Sequence, residues 1–185
     1  MAKLLDRILV IDVEATCWPR GEEPPGAENE IIEVGIAEVD VAAAAIVGNA
    51  GLLVRPQRSG VSPFCTQLTT LTQAQVDAGV TFEEACRVLR KQYRSEDRAW
   101  ASFGDYDRSQ FERQCKSFGV RYPFGKTHFN VKALFALTRA LPHEVGMDDA
   151  LKRLGLPLEG THHRGGDDAR NIAKILCTIL QAARR

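Results

Sequence analysis

Apolar residues follow a two-residue period in the first third of the chain and a mostly helical one afterwards. Ile8-Leu9-Val10-Ile11 is an unbroken apolar run, as expected of a strand covered on both faces, and it predicts the centre of a sheet. Ile32, Val34 and Ile36 share one side of a second strand. A third runs through Ile46 towards Leu52-Leu53-Val54 and is stopped by Pro56. Short connections make these three an antiparallel meander. From Thr72 onward the pattern is helical: Thr81-Phe82-Glu83-Glu84 resembles a capping box, followed by Ala85, Val88 and Leu89 at helical spacing. A strand at 98–103, a helix over about 107–118, a short strand near 127–130 and helices around 131–139, 147–154 and 166–183 complete the reading. This order predicts an α/β fold, a mixed sheet flanked by helices. No repeat or long linker divides the sequence, so residues 1–185 are expected to form a single domain.

Composition narrows the class. The 185 residues are 44% hydrophobic and 26% charged, with 24 basic and 24 acidic side chains. That balance suits an ordinary globular protein and argues against one that coats long nucleic acid through a broad cationic surface. A small cleft gripping one chain end stays compatible with it. The five cysteines are scattered and lack a C-x-x-C pair, which disfavours a disulfide framework and a zinc site. They read as small buried residues of a reducing compartment. The one early apolar run is too short for a signal peptide or membrane span, so the expected location is cytoplasmic.

Asp12 and Glu14 lie two residues apart at the end of the apolar run, so both side chains leave the same face of the sheet. Asp107 begins the stripe Phe111, Cys115, Phe118 and is expected to face the sheet, whereas Asp105 lies outside that helix; a helix N-cap is the alternative role for either acid. Asp168 aligns with Ile172 and Leu176 in the last helix. Asp167 instead aligns with Asn171 and Lys174, a polar row, and reads as a solvated first-turn acid that suits the helix dipole. Four acids thus project into one partly buried volume, where uncompensated charge costs several kcal/mol each unless protons or cations neutralise it. Carboxylates without thiolate or imidazole partners suit Mg²⁺ or Mn²⁺. A metal pair about 3.5 to 4 Å apart serves in-line displacement at phosphorus, which implies phosphodiester hydrolysis. His163, five residues before Asp168 on a loop with Gly165 and Gly166, has a side chain suited to a general base. His162 reads as a surface residue.

At these residues the sequence resembles the DEDDh 3′-to-5′ exonuclease superfamily, which has an RNase H-like fold with a five-stranded mixed sheet. Ile11-Asp12-Val13-Glu14-Ala15-Thr16 is similar to its first motif, Asp107 to the acid of its second, and His163 with Asp168 to the H-x4-D of its third. The closer resemblance is to the Eri-type branch that includes the histone-mRNA exonuclease. Phe64-Cys65-Thr66-Gln67-Leu68-Thr69, Thr72-Gln73-Ala74-Gln75-Val76-Asp77, Gly104-Asp105-Tyr106-Asp107 and Gly166-Asp167-Asp168-Ala169-Arg170-Asn171 carry it.

The resemblance implies that Asp12, Glu14, Asp107 and Asp168 hold two Mg²⁺ ions, with Mn²⁺ as a substitute. It also implies that His163 deprotonates the attacking water and that nucleoside 5′-monophosphates are released. Ala15 and Thr16 would receive the terminal sugar. Phe64 and Leu68 would pack the terminal base, a contact worth roughly 1 to 3 kcal/mol, although core packing explains those two residues as well. Trp18 could line the cleft or pack on its own loop. Tyr106 stands where close relatives often have tryptophan. The chain also shows no appended nucleic-acid-binding domain of the kind animal members carry, which leaves scattered cations such as Arg121, Lys126, Lys132, Arg164 and Arg170 to add grip.

The expected partner is therefore a single-stranded nucleic-acid 3′ end, RNA ahead of DNA, with no membrane involved. Two other readings stand beside it: a proofreading-like DNA 3′-to-5′ exonuclease, and a non-catalytic RNA-binding protein that retains the fold. Four clustered acids disfavour the second, because a polyanion-binding surface gains nothing from negative charge.

Overall fold

A computed structural model describes residues 2–184. Its strands are β1 (Leu4–Ala15), β2 (Ile31–Asp40), β3 (Ala45–Leu53), β4 (Arg98–Ser102) and β5 (His128–Asn130). The helices are α1 (Pro63–Thr69), α2 (Gln73–Asp77), α3 (Phe82–Gln92), α4 (Tyr106–Phe118), α5 (Val131–Thr138), α6 (Met147–Leu154) and α7 (Gly165–Ala182). The strands form one sheet in the order β3-β2-β1-β4-β5. β1 to β3 pair antiparallel, while β4 and β5 join parallel to β1, giving the mixed sheet that the pattern predicts.

The unbroken apolar run is explained by burial on both faces. Ile8 and Val10 belong to the core formed with α5, α6 and α7, whereas Leu9, Ile11 and Val13 belong to the opposite core with α3 and α4. Alternation therefore carries Asp12 and Glu14 to the α7 side. Because β1 and β4 run parallel, their C-terminal ends lie together. The acids at the end of β1 and the start of α4 consequently meet at one edge, as is usual for sites in open α/β sheets.

The differences from the sequence reading are local. The first strand is longer than its apolar core, extending at both ends. Helix α1 was not expected: Pro63 occupies its first turn and Ser62 caps it, the Oγ accepting the Cys65 N–H at 3.0 Å. At Thr81 the cap is one-way, with the hydroxyl accepting from Glu84 N at 3.2 Å. The reciprocal box lies at Thr72 and Gln75.

Candidate active site

The structure brings the four expected acids to one cavity of about 380 Å³, whose walls also include Ala15, Leu68, Tyr106, His162 and His163. One oxygen each from Asp12, Glu14 and Asp168 lies within 4.8 Å of the others. Asp107 arrives from the first turn of α4, and its Oδ1 accepts the Val13 N–H at 2.9 Å. That bond ties the helix to the strand segment between Asp12 and Glu14.

Backbone packing sets the depth of α7. A Cβ on Gly35, which pairs with Asp12, would lie 1.7 Å from the Gly165 carbonyl oxygen. One on Gly166 would lie 3.3 Å from the Gly51 nitrogen. Only glycine lets this helix start reach the sheet. Glu33, opposite Glu14 on β2, then locks it. Its carboxylate accepts Arg164 Nε at 3.0 Å, Arg164 Nη2 at 3.2 Å and the Gly165 N–H at 2.9 Å. Glu33 is buried, and sequence reasoning missed it. The signal present was a charged residue among Ile31, Ile32, Val34 and Ile36, on a strand covered from both sides.

Burial and mutual repulsion dominate the electrostatics. Burial, then the charges of Asp107, Glu14, Asp168 and Glu33, holds the Asp12 carboxyl well above its ordinary value. The same causes, led by burial, raise Glu14 to about 8 against an ordinary 4.5, with Arg164 opposing them. Arg164 is itself engaged by Glu33, so it offers the cluster little neutralisation. Burial raises Asp107 to about 7 even though the Val13 N–H favours its ionised form. Asp168 is also raised by burial, against the His163 N–H and the His162 ring. Such a set is poised to exchange protons for cations.

The loop before α7 is built to reach Asp168. His163 has φ +63°, and its backbone N–H donates to Asp168 Oδ2 at 2.9 Å. His162, which the sequence reading left on the surface, places Nδ1 3.0 Å from the same oxygen and stacks its ring on His163 at 4.0 Å between centroids. Burial, then His162, lowers the His163 pKa from 6.5. The row of Asp167, Asn171 and Lys174 is not simply solvated. Asp167 accepts the Thr161 N–H at 2.8 Å, Asn171 is fully buried and bonds both backbone groups of Glu159, and Lys174 meets the Pro157 carbonyl. The row anchors the loop that crosses it, which sequence periodicity cannot reveal.

The remaining expected residues are placed as follows. Leu68 lines the cavity; Phe64, one turn earlier on α1, is exposed and outside its lining. Thr16 is fully buried, its hydroxyl accepting the Glu30 N–H at 2.9 Å and its own N–H donating to the Glu30 carbonyl at 2.8 Å. Asp105 takes the N-cap position of α4 without a side-chain cap bond and accepts from Asn130 Nδ2 at 3.2 Å. Trp18 lines a neighbouring cavity with Arg58 and Ser62. Arg121, Lys132, Arg164 and Arg170 pair with Glu96, Glu144, Glu33 and Glu159, so these expected cations are already engaged.

Residues 9–176 match the RNase_T family model, whose description is exonuclease. The chain belongs to this exonuclease family. It is 31% identical over 186 residues to human 3′-5′ exoribonuclease 1, covering 95% of this chain and 53% of that one. It is 27% identical over 195 residues to the 3′-5′ exonuclease Snipper of Drosophila melanogaster, covering 94% and 69%. This family member thus spans about half the length of the human relative. Its fold superposes on the crystallographic nuclease domain of 3′hExo, a DEDDh family member bound to rAMP, with a TM-score of 0.86 at 29% identity, covering 98% of this chain and 95% of that one. The DEDDh resemblance and the RNase H-like fold expected from the motifs both agree with these comparisons.

Proposed function

We propose that this chain is a divalent-metal-dependent 3′-to-5′ exonuclease that trims single-stranded 3′ ends, RNA in preference to DNA, and releases nucleoside 5′-monophosphates. The observation that carries this reading is the convergence of Asp12, Glu14, Asp107 and Asp168 on one cavity, without a free cation among the groups that act on them. The donor set fits hard cations. Cys17 also lines the cavity, but burial and the neighbouring Cys65 push its thiol up to about 12, so it offers no thiolate. The four acids supply only carboxylate oxygens, and these suit two Mg²⁺ ions, with Mn²⁺ as a substitute. Held by the four acids, such ions would neutralise the cluster and stabilise the charge that develops on the phosphate.

The chain's own residues account for the rest. Burial, then His162, lowers the His163 pKa and so favours the neutral imidazole, the form that can accept the proton of the attacking water. The water oxygen bonds to phosphorus as the bond from phosphorus to the upstream O3′ breaks, and a proton returns to that oxygen. Ala15 and Leu68 border the space for the terminal nucleoside, and exposed Phe64 extends that apolar wall outward. The preference for RNA draws on the exoribonuclease relative and on the rAMP held by the 3′hExo domain. The free cysteines suit a reducing, cytoplasmic setting, and no helix of the described residues is long and apolar enough to cross a membrane.

The test is a time course on matched ribo- and deoxyribo-oligonucleotides labelled at the 5′ end, with Mg²⁺, Mn²⁺ or excess chelator. A ladder shortening from the 3′ end of RNA, silent in chelator, is expected. Cleavage in chelator would overturn the metal assignment, and faster loss of DNA would overturn the sugar preference.

A further inference from the structure

A second donor set overlaps the acid cluster but differs from it in chemistry. One atom each from His162, His163 and Asp168 lies within 4.8 Å of the others. The two imidazoles stack at 4.0 Å with their planes 16° apart, and His162 Nδ1 already lies 3.0 Å from Asp168 Oδ2. Their backbone is fixed. Thr161 and His163 donate their N–H groups to Asp167 and Asp168, so the donors can converge through side-chain torsions alone. His162 is half exposed, which leaves its ring free to turn and leaves an approach from solvent.

We propose that His162, His163 and Asp168 form an inhibitory site for Zn²⁺. Two imidazole nitrogens and one carboxylate oxygen, with a fourth position open to water, are a donor set that zinc accepts at about 2.0–2.2 Å. The same set suits Mg²⁺ poorly, because that ion favours oxygen ligands in octahedral geometry. An ion held there occupies the Asp168 carboxylate and the His163 imidazole together, so both are withdrawn from hydrolysis at once. The binding site stands on its own residues; only its inhibitory consequence rests on the proposed nuclease reading.

The test uses the reduced full chain, freed of metal, with Zn²⁺ titrated against a chromophoric chelator and Co²⁺ as a spectroscopic substitute. Wild type is expected to bind one Zn²⁺ at this site and to give a visible low-symmetry Co²⁺ band. His162→Gln is expected to weaken Zn²⁺ binding by at least the roughly 10- to 100-fold that disturbing only a ligand's hydrogen-bond partner costs a metal site. It should also lose the Co²⁺ band. Asp12→Asn should keep both, because Asp12 lies outside the set. In parallel, Zn²⁺ inhibition of Mg²⁺-supported RNA cleavage, scored against each protein's own uninhibited rate, should weaken in His162→Gln by the same factor. Zinc affinity of His162→Gln within about threefold of wild type, a difference worth less than 1 kcal/mol, would overturn the site. So would an equal loss in Asp12→Asn, which would put the ion among the acids. A wild type that binds zinc but cleaves no RNA in Mg²⁺ would sink the nuclease reading and the inhibition while leaving the site standing.

Discussion

Without divalent metal, the protein is expected to lose stability as pH rises from about 5 to 8, and Glu14→Gln is expected to remove a defined part of that loss. Glu14 ionises at about 8 in the folded chain, against an ordinary 4.5. A folded-state value above the unfolded one means that its contribution is fully present below about pH 4.5 and is lost as pH climbs through about 8. Each pH unit in which the unfolded chain has released this proton and the folded chain has kept it costs about 1.4 kcal/mol. Between pH 5 and 8 that interval spans roughly two and a half units, so Glu14 alone accounts for about 3.5 kcal/mol. Urea unfolding in chelator, followed through the fluorescence of buried Trp100, measures it. Glu14→Gln should flatten the dependence by about that amount, leaving a residual slope from Asp12 and Asp107. Added Mg²⁺ should stabilise wild type more at pH 8 than at pH 5. A wild type as stable in chelator at pH 8 as at pH 5, or a Glu14→Gln slope equal to wild type, would refute the reasoning.

Other expectations are more local. Asp12→Ala and Asp168→Ala should each lower Mg²⁺-dependent hydrolysis by on the order of 1,000-fold or more with circular dichroism unchanged, since each removes electrostatic support for the reacting phosphate. His163→Ala should cost about 10²- to 10⁴-fold in rate while calorimetric Mg²⁺ binding persists; undiminished turnover would end its assignment as base. Glu33→Ala strands the Arg164 guanidinium and the Gly165 N–H and should cost about 2 to 4 kcal/mol in urea unfolding. Gly35→Ala, whose new methyl meets the Gly165 carbonyl, should cost about 3 kcal/mol or more, and a folded variant of wild-type stability would contradict the close approach.

Much of this arrangement was legible because its determinants are periodic. The run from Ile8 to Ile11 gave the central strand, the two-residue spacing put Asp12 and Glu14 on one face, and the i+4 relations of Asp107 and Asp168 turned both inward. What escaped depends on contacts distant in sequence. Glu33 looked like an ordinary acid within a strand until Arg164, more than 130 positions away, closed on it. Asn171 read only as part of a polar row because the segment around Glu159 that covers it has no periodicity of its own. His162 gave no spacing signal, since its partner Asp168 lies at a separation used by no regular element. Helix α1 was missed because seven residues are too few to establish a helical period.

The crossing of Gly35 and Gly165 has a consequence for how the reacting groups age in evolution and in heat. Side-chain packing can relax by switching rotamers, but two main chains in direct contact have no rotamers to switch. The start of the last helix therefore sits on a hard stop, and neighbouring apolar positions can be exchanged or set in motion without that stop giving way. Exchange at the stop itself has no such latitude, so even the smallest added side chain should be refused there.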